Sequence, residues 1–268
     1  MQGRLLPKYQ GRYQAHPLGY WQNEFPIAAV LGLDCIEFIF DYNDHELNPL
    51  MSFSGLKEIQ QVSRAAKVDV LSVCADFFME CPFHSSKNEY RDYAVKIAKK
   101  LIQNCSNLEI QEIVIPCVDQ SSITSNDDLE HFIEGIEKLL PYAEKLNIHL
   151  ALETDLSPKI FKCLLDRLCS PAVTVNYDTG NSASLGYNLN EEFSLYGSKI
   201  SDLHIKDRKL SGGPVFLGEG SAKIDQVLSQ IKNLSFSGPI ILQLYRDDEG
   251  LGVFMHQFEI FKQILDNI

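Results

Sequence analysis

The chain contains no apolar run long enough to span a bilayer, no C-x-x-C pair, no phosphate-binding glycine loop and too few basic residues to balance its acids. Each absence removes a class of function. A membrane-crossing helix needs about 18 or more consecutive apolar residues, and the opening MQGRLLPKYQ lacks the apolar core of a signal peptide. The seven cysteines, at positions 35, 74, 81, 105, 117, 163 and 169, are odd in number and have no ribbon spacing. That excludes a zinc ribbon and fits reduced thiols, so a cytoplasmic protein is expected. Lys and Arg total 24 against 36 Asp and Glu, a formal net charge of -12. Nucleic acid is therefore not expected as a partner, because phosphate binding needs clustered cations. The glycines of SGGP lack P-loop spacing, so no nucleotide site is expected either.

What is present is a repeated alternation of strand and helix. At 268 residues the chain has the length of one barrel of eight strand–helix units, which takes about 250 residues. Apolar–polar alternation predicts strands at residues 2–6, 35–40, 70–77, 112–118, 149–154, 173–178, 200–206 and 239–245. Helical spacing of apolar residues predicts helices at 21–31, 56–67, 90–104, 127–145, 158–168, 189–195, 224–232 and 253–266. A long loop is expected over 207–220. No Pro-, Gly- or Ser-rich linker divides residues 1–268, so one domain is expected.

Strand parity separates two faces. Successive side chains point to opposite sides of a strand. Glu37 then shares a face with Cys35 and Ile39, and Asp76 with Ser72 and Cys74. Glu153 shares one with His149 and Ala151, Asp178 with Thr174 and Asn176, and His204 with Asp202 and Lys206. The opposite faces are mostly apolar. A doubly wound sheet buries both faces of its inner strands in apolar contacts, so this pattern points to an α/β TIM (β/α)8 barrel with the polar set turned to the axis.

The stretch 148–207 holds three strand-end residues suited to a divalent cation: Glu153 in IHLALETD, Asp178 in VTVNYDTG and His204 in ISDLHIKD. Two carboxylates and one imidazole from consecutive strands suit Mn²⁺, Mg²⁺, Co²⁺ or Zn²⁺ alike. Around them, Glu37 is a candidate to bind a substrate hydroxyl or to pair with Arg4 or Arg12. Lys206 and Arg208 are candidates to hold a carboxylate, phosphate or sugar hydroxyl. Trp21, Phe77, Phe78, Phe83 and Phe216 are aromatic residues that would wall a pocket or fill the core.

The pieces MQGRL, GLDCIEF, ALETD, NYDTGN, LHIKD and PVFLGEG resemble the xylose isomerase-like TIM-barrel superfamily of sugar phosphate isomerases and epimerases, over essentially the whole chain. The resemblance implies a metal held by four strand-end residues, the fourth falling on Gln243 where epimerases carry Glu. A Gln carbonyl can coordinate but carries no charge and accepts no proton. It also implies Glu153 as the base that forms an enediolate, with Glu37, Asp76, Glu219 or a metal-bound water left as second proton carrier. Asn181, where some relatives carry a second His, becomes a substrate contact. Glu219, in the Gly-Glu-Gly turn, becomes a residue that orients His204 or Lys206. The expected partner is a small carbohydrate, and a homo-oligomer is compatible with the family. Three functions follow: a metal-assisted isomerase or epimerase, a lyase of the inosose dehydratase type, or a non-catalytic sugar-binding relative with a degenerate metal site. Endonuclease IV chemistry is disfavoured by the charge.

Overall fold

The computed structural model describes residues 1–268 apart from Arg4, Ser235, Asp248 and Glu249. Six strands follow one another in parallel: β1 (Cys35–Ile39), β2 (Asp69–Cys74), β3 (Glu112–Cys117), β4 (His149–Thr154), β5 (Val173–Asp178) and β6 (Ile200–Ile205). A short hairpin of β7 (Asp207–Arg208) and β8 (Pro214–Val215) interrupts the 207–220 loop. The strand β9 (Ile240–Leu242) then adds to β6, giving the order β1-β2-β3-β4-β5-β6-β9. The Met1 carbonyl accepts from the Glu37 N–H at 2.8 Å, and the Gln2 N–H reaches the Leu242 carbonyl at 3.5 Å. Those two residues span the gap between the first and last strands, so the parallel sheet is a nearly closed TIM barrel.

The expected strand at 2–6 is therefore reduced to a single parallel bridge, Gln2 to Glu37. Gly3 takes φ +53°, in the left-handed region, and turns the chain off the extended path at once. Its hydrogen also leaves room for the Ile39 side chain, which a Cβ would strike.

Outside the sheet lie α1 (Glu24–Leu31), α2 (Phe53–Ala66), α3 (Phe77–Glu80), α4 (Asn88–Asn107), α5 (Asn126–Glu137) and α6 (Leu140–Leu146). The second half adds α7 (Pro158–Leu168), α8 (Thr179–Leu185), α9 (Leu189–Tyr196), α10 (Ile224–Asn233) and α11 (Leu251–Asp266). The helix expected at 127–145 is two helices. Pro141 has no N–H to give and its ring opposes the carbonyl four residues earlier, so the helix breaks before it. The strand expected to reach 77 stops at Cys74, and Phe77–Glu80 is a helical turn. The helix α8 had no apolar period to announce it. It starts because the Asp178 carboxylate accepts the Asn181 N–H, and it ends at Gly186 with φ +73°.

The main apolar core fills the space between sheet and helices, with Phe25, Phe40, Phe77, Phe132 and Phe254 almost wholly buried. Trp21, Phe78 and Phe83 belong to this core, and Phe216 packs on Tyr245. A separate small layer, Cys74, Val114 and Ala151, sits on the inner face of three adjacent strands. Other inward positions carry Glu37, Ser72, Asn176, Asp202 and His204, all buried. No helix among the described residues is long and apolar enough to cross a membrane. All seven cysteines are free.

Candidate active site

The polar interior converges on His204 near the end of β6. Its ring is fully buried, with Nε2 2.9 Å from Glu37 Oε1. The other oxygen of Glu37 accepts from Ser72 Oγ at 2.8 Å. A carboxylate behind a histidine fixes the ring's orientation and chooses the nitrogen it offers forward. Here that nitrogen is Nδ1. It faces Glu153 Oε2 at 3.7 Å and Asp178 Oδ2 at 3.9 Å. The donor atoms of Glu153, Asp178 and His204 all lie within 4.8 Å of one another.

A second acidic group surrounds the same ring from behind: Glu37, Asp202 and His204. Asp202 Oδ1 lies 3.7 Å from Nε2. Burial, then the nearby Glu37, pushes the Asp202 carboxyl well above the usual range. Burial alone would lower the His204 pKa, but Glu37, Glu153 and Asp202 outweigh it and raise it to about 10. The surroundings thus favour positive charge on this ring, as a proton or as a metal ion. Of the two groups, only the forward one opens towards solvent, through Glu153.

The donor chemistry of the forward group fits a divalent cation: two carboxylates neutralise it and a held imidazole completes three ligands. Asn176, two residues before Asp178 on the same face, lies 3.0 Å from Nδ1 and donates to Glu153 Oε2 at 2.9 Å. Gln243 also meets the centre, its Nε2 2.9 Å from Nδ1 and its Oε1 facing Lys206 Nζ at 3.4 Å. Half a turn of that amide brings the carbonyl oxygen forward and gives up the Lys206 contact.

Above the centre is a cavity of about 420 Å³ whose lining includes Glu153, Asp76, Asn181, Lys206 and Gln243. It lies at the carboxyl ends of the strands, where barrels of this type build their sites. Glu153 is held on both oxygens, Oε1 accepting from Asn181 Nδ2 at 2.6 Å. Burial and then Asp178 raise its pKa to about 7, against the lowering effect of His204 and Lys206. Asp76 follows β2 and accepts from Gln14 Nε2 at 3.1 Å. Burial and then Asp41 raise its pKa to about 6. Two carboxyl groups tuned towards neutrality thus share one cavity.

The remaining candidates divide by position. Lys206 Nζ lies 2.7 Å from Asp178 Oδ2 and lines the cavity. Arg208 stands behind Asn181, donating to its Oδ1 at 2.8 Å and to the Gly212 carbonyl at 3.0 Å, and is absent from the lining. Glu37 is walled off beneath His204 rather than exposed to a substrate. Arg12 pairs with Asp41 at 3.3 Å, not with Glu37, because it comes from the rim loop above the strand ends. The proposed Arg4 pairing lies outside the described residues. Glu219 is exposed on its loop and outside the lining, so it does not orient His204 or Lys206. The loop is instead fixed by Asp207, whose carboxylate accepts the N–H groups of Gly218, Gly220 and Ala222 at 2.9, 2.9 and 3.0 Å.

Strand parity was sufficient to find Asn176, and also Asp41, two residues beyond Ile39. Gln14, Asn43 and Gln120 reach the cavity from loops, where no period marks them.

Residues 25–264 match the family model described as xylose isomerase-like TIM barrel. The Haemophilus influenzae protein SgbU, provisionally named an L-ribulose-5-phosphate 3-epimerase, is 26% identical over 243 residues, covering 85% of this chain and 84% of that protein. The L-ribulose-5-phosphate 3-epimerase UlaE of Salmonella heidelberg is 25% identical over 239 residues, with 85% and 83% covered. Among solved structures, a xylose isomerase-like TIM barrel protein from Mycobacterium smegmatis in complex with magnesium superposes with a TM-score of 0.71. It is 19% identical, over 93% of this chain and 89% of that one. The chain belongs to the xylose isomerase-like TIM barrel family.

Proposed function

We propose that this protein is a divalent-metal-assisted sugar epimerase or isomerase acting on a small hydroxycarbonyl substrate. The observation that carries the reading is the double position of Glu153: one carboxylate belongs to the buried triad and also lines the cavity. Homology to sugar 3-epimerases supports the same class.

A cation held by Glu153, Asp178 and His204 would supply Lewis-acid polarisation to a carbonyl and its neighbouring hydroxyl. The chain's own groups handle the proton. Glu153, the triad carboxylate that reaches the cavity wall, is placed to remove a proton from the carbon beside a carbonyl. Amides from Asn176 and Asn181 keep its oxygens in place. Gln243 cannot act as an acid or base, so inversion at carbon needs another proton carrier on the cavity wall. Asp76 has that place and a suitable pKa. Gln14, Asn43 and Gln120 offer neutral donors and acceptors to hydroxyls.

A lyase reading shares the first step and uses Asp76 to protonate a departing hydroxyl. Its support is Gln243, whose amide cannot act as a returning base. Proton NMR of a ketose panel in deuterated water with diamagnetic Mg²⁺ separates the readings. An epimerase gives deuterium at the inverted carbon, and a lyase gives a dehydrated product. Glu153→Gln is expected to slow exchange about a hundred- to ten-thousandfold. Asp76→Asn is expected to keep exchange into substrate while losing product. Full exchange in Glu153→Gln would refute its role. Absence of both exchange and bound metal would leave a sugar-binding relative instead.

A further inference from the structure

The oxygen of Asp178 that closes the triad is already in use. Asp178 Oδ1 caps α8 through the Asn181 N–H, and Oδ2, the oxygen turned to the centre, lies 2.7 Å from the Lys206 ammonium. The lysine side chain is 15% exposed and stands between the centre and the cavity. Its route is built into the fold. The Lys206 stem passes directly over Gly180, where any Cβ would collide with Lys206 Cγ. Thr179 Oγ1 donates to the Lys206 carbonyl at 2.6 Å and accepts its N–H at 3.1 Å, which fixes the backbone from which the stem departs. The ammonium is therefore placed, and its position overlaps the demand that a cation would make on the same carboxylate.

Resting on the divalent-cation reading of the triad, we propose that Lys206 competes with the metal ion for Asp178 Oδ2 and so sets how weakly the centre holds its cation. Glu153 and Asp178 balance a dication by themselves. The Lys206 ammonium, 2.7 Å from Asp178 Oδ2, then sits beside that dication, and like charges at this separation repel. Neutral Gln243 does not compensate it. Cation entry displaces the ammonium from Oδ2, and the space open to it is the cavity that Lys206 already lines. Metal occupancy thereby delivers a hydrogen-bond donor to the substrate space.

The test is a Mn²⁺ titration of the EDTA-stripped full chain by calorimetry, comparing wild type with Lys206→Met, Lys206→Gln and the exposed-loop control Lys209→Met. Lys206→Met and Lys206→Gln are expected to bind Mn²⁺ at least about tenfold more tightly, with a larger Mn²⁺-dependent rise in Tm. The Lys209→Met control is expected to match wild type. Equal or weaker binding in both Lys206 variants overturns the competition while leaving the metal reading intact. No Mn²⁺ binding by any protein overturns both. Two substitutions of different polarity keep the test decisive if one of them folds poorly.

Discussion

Replacing Glu37 by Gln isolates the carboxylate behind His204 with almost no change of shape. The Glu37 side chain is buried, ion-paired with His204 Nε2 at 2.9 Å and accepting a hydrogen bond from Ser72 Oγ at 2.8 Å. A Gln carbonyl can still accept from His204 while its amide N–H turns to Ser72 Oγ, so the charge is lost and the Ser72 contact reverses direction. A hydrogen bond to a charged group contributes about 1.5–3 kcal/mol, and a neutral one about half as much. The variant therefore gives up about 0.75–1.5 kcal/mol of the interaction that holds the ring with Nδ1 forward, roughly four- to twelvefold in an equilibrium constant. Removal of such outer partners typically weakens metal binding by about 10–100-fold, so the two ranges meet at about tenfold. Calorimetric titration of the stripped protein with Mn²⁺ measures it, with His204→Ala as the reference for loss of a direct ligand. His204 loses its nearest carboxylate in the same step while Asp202 loses a repelling neighbour, so a Tm for Glu37→Gln accompanies the titration. Wild-type affinity in Glu37→Gln, beside lost affinity in His204→Ala, would refute the claim that Glu37 orients the ligand.

Three other outcomes are expected. Asp207→Ala leaves three loop N–H groups without their acceptor and is expected to cost about 3 kcal/mol, read from urea unfolding; a cost under about 0.5 kcal/mol would show that water replaces the carboxylate. The hydrogen bond to Glu112 raises the pKa of His149 above 6.5, so the pair's stabilisation is whole below that pH and fades as pH rises through the folded value. The Tm gap between wild type and His149→Gln is thus expected to be wider at about pH 5.5 than at about pH 9, and a gap that is equal at both would count against the pair. Among the described lining residues, Asp41, Asp76, Glu80, Asp119 and Glu153 outnumber Arg12 and Lys206, and both cations already face carboxylates. An uncharged ketose is therefore expected to exceed its phosphate ester in kcat/KM by at least about tenfold, with the reverse order contradicting the charge argument.

The sequence pattern was most informative where packing repeats. Alternation marked most of β1 to β6 because one face packs on apolar helices and the other carries the polar residues of the interior, β3 with its apolar Val114 being the exception. The same parity brought Glu153, Asp178 and His204 onto one side before any distance was known. Closure was shorter than the strand expected at 2–6: a single bridge at Gln2 and the backbone bonds of Met1 and Gln2 complete the sheet. The helix α8 was hidden, since a carboxylate cap rather than an apolar stripe starts it. Glu219 is singled out by the family resemblance of its Gly-Glu-Gly turn, but the structure leaves it exposed and fixes the loop through Asp207. Gln14, Asn43 and Gln120 arrive from loops and a short turn whose paths depend on tertiary contacts, so nothing in the local sequence pointed to the cavity.

Asp178 does two jobs with its two oxygens, and this makes the first turn of α8 a reporter. One oxygen holds the Asn181 amide proton while the other faces the cation position. The Asn181 side chain in turn holds Glu153. Loading the centre should tighten both ends of that linkage, so the Asn181 backbone amide would exchange with solvent more slowly in the loaded protein. Occupancy at the bottom of the cavity would then be legible as the opening rate of a helix end, with no substrate present.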